Sequence, residues 1–354
     1  MYSRFGLTLV VNHACNLRCS YCYTGEKLGR PLPPAVGRKA IDRALQSLAP
    51  GGMLDLAFFG GEPLIEAELI LELAAYAATR AASREISLTF SLTTNGAVDS
   101  PAAWRVLMLP DLQLAVSADG LPSVHDRHRV TIDGRPTSPT VLATLARLVN
   151  AGREFRVVMV VRPDTVSALV AGMEFLHERG VRRFDPSLDL WTVWSRPDRD
   201  RLAAAVAQAA DFWVEHLPEC GVSWFDEKAA RLAGVPLGET ARCGFGAGEI
   251  AITPAGNLYP CERLVGADEP HNPLRLAGTV FHGEHFCAAE PGRGNQAAEC
   301  GPCVLKSQCS THCRCSNYVR TGDPSRPDGL LCLWDQACYR ETVRALQSRS
   351  LVVR

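Results

Sequence analysis

Cys15, Cys19 and Cys22 follow one another at the spacing C-x3-C-x2-C, within Val10-Val11-Asn12-His13-Ala14-Cys15-Asn16-Leu17-Arg18-Cys19-Ser20-Tyr21-Cys22-Tyr23. They sit on a short loop behind an apolar run that reads as a strand. A four-iron cluster held by cysteine takes four thiolates. Three supplied locally leave one iron with an exchangeable position, and an open position separates a catalytic metal centre from a structural one. The competing readings are three structural cysteines or part of a zinc site. The spacing, the aromatic Tyr21 just before the last cysteine and the strand-to-loop setting weigh against both.

The segment Cys15–Tyr23, CNLRCSYCY, resembles the signature of the radical S-adenosylmethionine (SAM) enzymes. That resemblance implies that the amino and carboxylate groups of SAM chelate the open iron. It further implies that the reduced cluster splits the sulfonium to a 5′-deoxyadenosyl radical, which abstracts hydrogen from a substrate. Gly60-Gly61-Glu62-Pro63 looks like the family's motif for holding the SAM amino group. Its residues suit the task, because glycine admits close backbone approach and Glu62 offers an acceptor for an ammonium group. Taken alone it is equally a plain strand-to-helix turn. By the same resemblance Tyr21 lies near the adenine, and Asn95 and Ser117 lie where members contact ribose and carboxylate. Arg129 closes SADGLPSVHDRHR, which is similar to the S-x-D-G-P…H-D-x-x-R stretch of peptide-modifying members. Its guanidinium would pair with the SAM carboxylate in a forked geometry. Asn95, Ser117 and Arg129 each also read as structural residues.

Something must position these groups, and 354 residues suffice for one barrel-sized domain and a smaller one. An apolar content of 47% describes an ordinary soluble globular chain. A net charge of −1 gives no electrostatic reason to expect nucleic acid as a partner. No signal peptide or membrane-spanning run is visible, and fourteen cysteines without an export signal argue for metal binding in a reducing compartment. The expected location is the cytoplasm.

Periodicity places helices at about 34–49, 65–82, 101–109, 140–151, 165–179 and 198–217. Strands fall at the apolar run before Cys15 and at 53–59, 86–93, 112–118, 155–161 and 184–190, and a polar loop holds His125-Asp126-Arg127-His128-Arg129. Six successive strand-then-helix units predict an α/β fold, a partial (β/α)6 TIM-like barrel with a parallel sheet. The cysteine loop, GGEP, Thr93-Thr94-Asn95-Gly96 and Ser117-Ala118-Asp119-Gly120 all fall at strand ends, at the face where such folds place active sites. Near residue 218 the texture changes, and residues 220–338 hold eleven of the fourteen cysteines with little periodicity. The expected division is a barrel over 1–218 and a cysteine-rich domain with a C-terminal helix over 219–354, organised by metal rather than by an apolar core.

Cys243, Gly256 and Cys261, then Cys300, Cys303, Cys309 and Cys313 at C-x2-C-x5-C-x3-C, then Cys332, resemble the seven-cysteine SPASM domain of radical SAM enzymes that modify peptides and proteins. Zinc is the competing occupant. The resemblance implies two auxiliary 4Fe–4S clusters, one on Cys300, Cys303, Cys309 and Cys332, the other on Cys243, Cys261 and Cys313. The second set lacks a fourth thiolate. Its iron is open, completed by substrate, or completed by Cys220, Cys287, Cys315 or Cys338. Glu262, after Cys261, is a candidate base: sulfatase-maturing relatives carry an aspartate there. An exposed, solvated Glu262 is the plainer reading.

These readings converge on a radical SAM enzyme carrying SAM and three 4Fe–4S clusters, served by a flavodoxin- or ferredoxin-type electron donor. The expected substrate is a ribosomally made peptide, left with a thioether or carbon–carbon crosslink or an oxidation. With about four residues before the first strand, peptide recognition falls to the barrel mouth, the SPASM domain or a separate leader-binding protein. The alternatives are an anaerobic sulfatase-maturating enzyme, which makes formylglycine from Cys or Ser, and a non-catalytic iron–sulfur electron carrier.

Overall fold

In the computed structural model, residues 1–235, 245–286, 300–309 and 313–352 are described. They form two compact units. The first comprises Met1–Val116, Val130–Arg135 and the described part of Gly244–Arg293; the second comprises Ser117–Arg129 and the described parts of Pro136–Cys243 and Gly294–Arg354.

The first unit is built on β1 (Tyr2–Asn12), α1 (Pro34–Ser47), β2 (Leu48–Gly60), α2 (Ala67–Ala82), β3 (Ser87–Thr94), α3 (Pro101–Leu107) and β4 (Leu112–Ser117). Its strands lie in the order β4-β3-β2-β1, all parallel. From Leu7 onward, β1 is buried at every position, the continuous apolar reading of a strand covered on both faces. The buried residues Ile70, Leu73, Ala74, Ala77 and Ala81 of α2 form one stripe at helical spacing, turned to the core. Because the strands are parallel, the segments after β1, β2 and β3 leave at the same edge, where Asn12 of β1 stands opposite Gly60 of β2. The strand before GGEP begins earlier than its apolar run suggests, taking in Pro50-Gly51-Gly52.

Two further strands, β8 (Glu249–Ile252) and β9 (Leu258–Tyr259), join this sheet from the cysteine-rich stretch. Gly6–Leu9 of β1 pairs in parallel with β8, and β9 closes a hairpin on it. Tyr259, fully buried, packs with Val10, Ala251 and Val265.

The second unit carries α4 (Pro122–His128), α5 (Ser138–Asn150), β5 (Arg156–Val161), α6 (Leu169–His177), β6 (Arg183–Leu188), α7 (Arg196–Glu215), β7 (Gly221–Val222), α8 (Ser223–Leu232), α9 (Arg314–Thr321) and α10 (Gly329–Val352). The strands β5, β6 and β7 run side by side in parallel, and neither row of strands closes on itself. The six strand–helix units and parallel pairing expected of an open (β/α)6 barrel are present. The polar HDRHR stretch, expected as loop, is largely helix α4: Pro122 starts it, and His125 and His128, three apart, turn to the interior.

Lys228 of α8 and Asp335 of α10 form an ion pair of 2.7 Å, both side chains under 5% exposed. Lys228 also donates to the carbonyl of Gln308 at 2.7 Å, beside Cys309. Removing one partner strands a buried charge. Lys228→Ala is therefore expected to cost about 3–5 kcal/mol, measured by denaturant unfolding, against under ~1 kcal/mol for Arg105→Ala, whose pair with Glu68 is solvent-exposed.

Candidate functional site

The cysteine loop leaves β1 at Asn12 and is tied at both sides. The Arg18 amide donates to the Val130 carbonyl at 2.8 Å, and Leu17 bridges Thr131. Cys15 and Cys19 are half-buried and Cys22 is exposed. Burial pushes the Cys15 thiol up. Although the Cys22 side chain is exposed, partial desolvation of its sulfur pushes the thiol up; hydrogen bonds from Lys27 and Thr24 outweigh this, and the net shift is downward.

Gly60-Gly61-Glu62 follows β2. A Cβ on Gly61 would stand 2.2 Å from the Ala14 carbonyl oxygen, and one on Gly60 would stand 2.5 Å from that of Asn12. The close approach that demands glycine is thus to the chain's own backbone leading into the cysteine loop. Glu62 is 1% exposed, and both of its carboxylate oxygens accept hydrogen bonds. Oε1 takes them from the Leu64 amide at 3.0 Å and Thr94 Oγ1 at 2.8 Å; Oε2 takes one from the Asn95 amide at 2.7 Å. Burial outweighs these bonds and raises its pKa to about 7. Pro63 is buried and opens a short 3-10 turn, Pro63–Glu66. Asn95 Nδ2 donates to Asn16 Oδ1 at 2.8 Å and approaches Cys15 Sγ at 3.7 Å. The structure therefore brings the cysteine loop, Glu62 and Asn95 into one hydrogen-bonded cluster. Tyr21 is half-buried on the same loop.

In the second unit, Ser117 is buried at the end of β4. The fork expected of Arg129 is made with Asp119: Nε to Oδ2 at 3.0 Å and the second nitrogen to Oδ1 at 3.3 Å, both side chains buried. The rest of the H-D-x-x-R stretch holds this corner together. The Asp119 amide donates to His125 Nδ1 at 3.2 Å, so the ring proton sits on Nε2, which faces Thr137 Oγ1 at 3.0 Å. Thr137 Oγ1 in turn donates to the Arg129 carbonyl at 2.6 Å. Burial, then Arg129, lowers the His125 pKa to about 4, so the ring is neutral at pH 7. Asp126 accepts from the amides of Thr137 and Ser138 and fastens the start of α5.

Of the C-terminal cysteines, Cys300, Cys303, Cys309 and Cys332 are half-buried in the second unit. Burial, and then the nearby thiols Cys309 and Cys300, push Cys332 up to about 11. Cys313 caps α9, with the Cys315 sulfur 3.2 Å from its own. Cys261 is buried in the first unit and faces Glu262 Oε2 at 3.4 Å; Glu262 itself is half-buried. Cys220, beside Arg182 and Asp226, and Cys338, beside Asp335, are buried. Cys243 and Cys287 lie outside the described residues.

Among the described residues no three His, Cys, Asp or Glu side chains converge on one metal ion. A four-iron cluster binds each thiolate through a different iron and asks for a wider spread. The residues fit such a group. Cys19 and Cys22 border a cavity of about 510 Å³, shared with Arg18 and Lys27. The side-chain Oδ1 of Asn12 and Nε2 of His13, at the root of the loop, are buried and have no hydrogen-bond partner among the described residues.

Residues 9–185 match the family model of the Radical SAM superfamily, half of the chain. A serine-type anaerobic sulfatase-maturating enzyme of Klebsiella aerogenes is 24% identical over 86% of this chain and 78% of that protein. A PqqA peptide cyclase of Methylorubrum populi is 23% identical over 91% and 83%. The solved structure of native anSMEcpe with bound AdoMet and the Cp18Cys peptide superimposes with a TM-score of 0.78, covering 99% of each chain at 17% identity, a likeness of fold. The open iron implied by three cysteines and the parallel α/β frame thus have one explanation: this chain belongs to the radical SAM superfamily. It is an enzyme whose family uses SAM and a 4Fe–4S cluster. No helix among the described residues is long and apolar enough to cross a membrane.

Proposed function

We propose that this enzyme is a peptide maturase. The observation that carries the reading is the joining of the three-cysteine loop to a buried Glu62 and Asn95, in a chain related along most of its length to enzymes named for maturation or cyclisation of proteins and peptides. When bound beside a reduced cluster, SAM would supply the radical chemistry that removes a hydrogen atom from a peptide side chain or Cα. Cys15, Cys19 and Cys22 would hold the cluster. Glu62 would accept from the SAM amino group, Gly60-Gly61 and Pro63 shape that turn, and Asn95 and Tyr21 line the nucleoside side. For Ser117 and Arg129 the contact with SAM rests on resemblance alone.

The proposal extends to three 4Fe–4S clusters, with residues 219–354 as the SPASM part. Cys300, Cys303, Cys309 and Cys332 form one auxiliary set; Cys243, Cys261 and Cys313 form the other, to which we add Cys315 because its sulfur lies 3.2 Å from that of Cys313. Protein purified without oxygen should carry about twelve irons per chain with matching sulfide. Cys315→Ala should lower that by up to about four while 5′-deoxyadenosine formation persists. Unchanged iron would remove Cys315 from the set, and zinc in place of eight of the irons would remove both auxiliary clusters. The partners proposed are a precursor peptide, a flavodoxin- or ferredoxin-type donor and a leader-binding protein, in the cytoplasm.

Sulfatase maturation is the second reading, favoured by the relatives and by Glu262 beside Cys261. Mass spectrometry decides between them. The enzyme is incubated with SAM, reductant and either a precursor peptide encoded beside the gene or a sulfatase peptide bearing Cys or Ser. A crosslinked or oxidised precursor supports the first. Formylglycine in the sulfatase peptide, lost in Glu262→Gln, establishes the second.

A further inference from the structure

Lys27 has no place in any motif above, yet its ammonium lies against the cysteine loop. Nζ is 3.0 Å from Cys22 Sγ and also donates to Thr24 Oγ1, which itself stands 3.4 Å from the same sulfur. The side chain is half-buried and borders the cavity beside Cys19 and Cys22. The loop that carries it is anchored. Gly25 adopts φ +73°, and a Cβ there would meet the Ala267 amide nitrogen at 2.9 Å. Only glycine lets the chain turn in this way and press on Ala267, which aims Lys27 back at Cys22.

An N–H···S bond and a fixed positive charge stabilise the more negative state of an iron–sulfur centre, and hydrogen bonds to its sulfurs are among the levers that set its potential. We propose that Lys27 is a positioning residue that raises the reduction potential of the SAM-binding cluster, so that a biological donor can reduce it. One electron passes from an external ferredoxin- or flavodoxin-class donor to the cluster; no bond or proton at Lys27 changes. The inference rests on Cys22 being a ligand of that cluster, as proposed above.

The test is potentiometry of the reconstituted enzyme, followed by electron paramagnetic resonance, with the signal that changes on SAM addition taken as the SAM-binding cluster. Lys27→Met should keep iron content and SAM binding but move that midpoint to more negative values. 5′-Deoxyadenosine formation with reduced flavodoxin should fall at least tenfold, and a stronger chemical reductant should restore it. Lys27→Arg, which keeps charge and donors, should stay near the parent. An unchanged midpoint in Lys27→Met overturns the proposal. So does loss of the cluster in Lys27→Met together with Lys27→Arg, which would make Lys27 part of assembly. Absence of any SAM-responsive signal in the parent enzyme would instead remove Cys22 as a ligand of a SAM-binding cluster, which is a failure of the parent reading.

Discussion

Cys19→Ala should reduce SAM cleavage to background. Assayed without oxygen, with dithionite and SAM, the parent enzyme is expected to release 5′-deoxyadenosine even without its peptide, and the variant is expected to release none. Iron should drop by about four per chain, because a three-thiolate site that loses a ligand no longer retains its cluster. The cause is local. Cys19 is half-buried, borders the cavity and lies in a loop whose backbone is held by the Arg18–Val130 and Cys22–Cys19 hydrogen bonds. Truncation of the thiol leaves those main-chain bonds in place, so the melting temperature of the cluster-free variant should match that of the cluster-free parent. Cys338→Ala is the contrasting case. Its thiol is buried in α10 beside Asp335, and its pKa is pushed far up by burial. Losing it should cost about 1 kcal/mol or more of stability and leave SAM cleavage intact. If Cys19→Ala retained cleavage, the three-cysteine loop would not be the catalytic centre.

What the sequence displays and what it hides divide along physical lines. The cysteine loop, GGEP and TTNG are legible because each follows a strand with a clear pattern, a mainly apolar run in β1 and β2 and an alternation of Ser or Thr with Leu or Phe in β3, and parallel pairing then delivers all three to one edge. The strand β8 is illegible for the opposite reason. Glu249–Ile252 is four residues long among glycines and cysteines, and what makes it a strand is the free edge of β1, which no local pattern reports. HDRHR reads as a polar loop because all five of its residues are ionisable: two histidines, two arginines and an aspartate. Burial of His125 and His128 depends on Thr137 and Asp164 arriving from elsewhere in the chain, His128 Nε2 meeting Asp164 at 3.0 Å. Gly60 and Gly61 are correctly singled out, but the atoms that forbid a side chain there belong to Asn12 and Ala14, 48 and 47 residues back in sequence. Lys27 gives no signal at all beyond standing five residues after Cys22. Its contact is made by the turn at Gly25, and a lysine in a polar loop is ordinarily solvated.

Glu62 should make SAM binding depend on pH across neutrality. In the ligand-free enzyme its carboxyl has a pKa raised to about 7 from 4.5 by burial, in spite of three hydrogen bonds. A group more easily protonated in the folded state destabilises the fold where it must ionise. The ligand-free protein therefore loses stability as pH rises from about 4.5 through 7, and a donor group of the ligand placed against the carboxylate offsets that loss. Binding that selects the ionised form releases a proton. At pH 6 about one Glu62 in eleven is ionised and at pH 8 about ten in eleven, so the Kd for SAM should be about tenfold weaker at pH 6. Equilibrium dialysis on the reconstituted enzyme, in buffers of equal ionic strength, measures it. Glu62→Gln keeps the shape but turns one acceptor into a donor facing Asn95 N–H or the Leu64 and Thr94 donors. That substitution should weaken SAM binding by about tenfold to a hundredfold at pH 8, the worth of a hydrogen bond to a charged group, and remove the dependence between pH 6 and 8. His125 supplies no confounding titration in this window, since its pKa is held near 4. A Glu62→Gln enzyme that bound SAM as tightly as the parent, with the same pH profile, would move the amino-group contact away from Glu62 to the backbone of the Gly60-Gly61 turn.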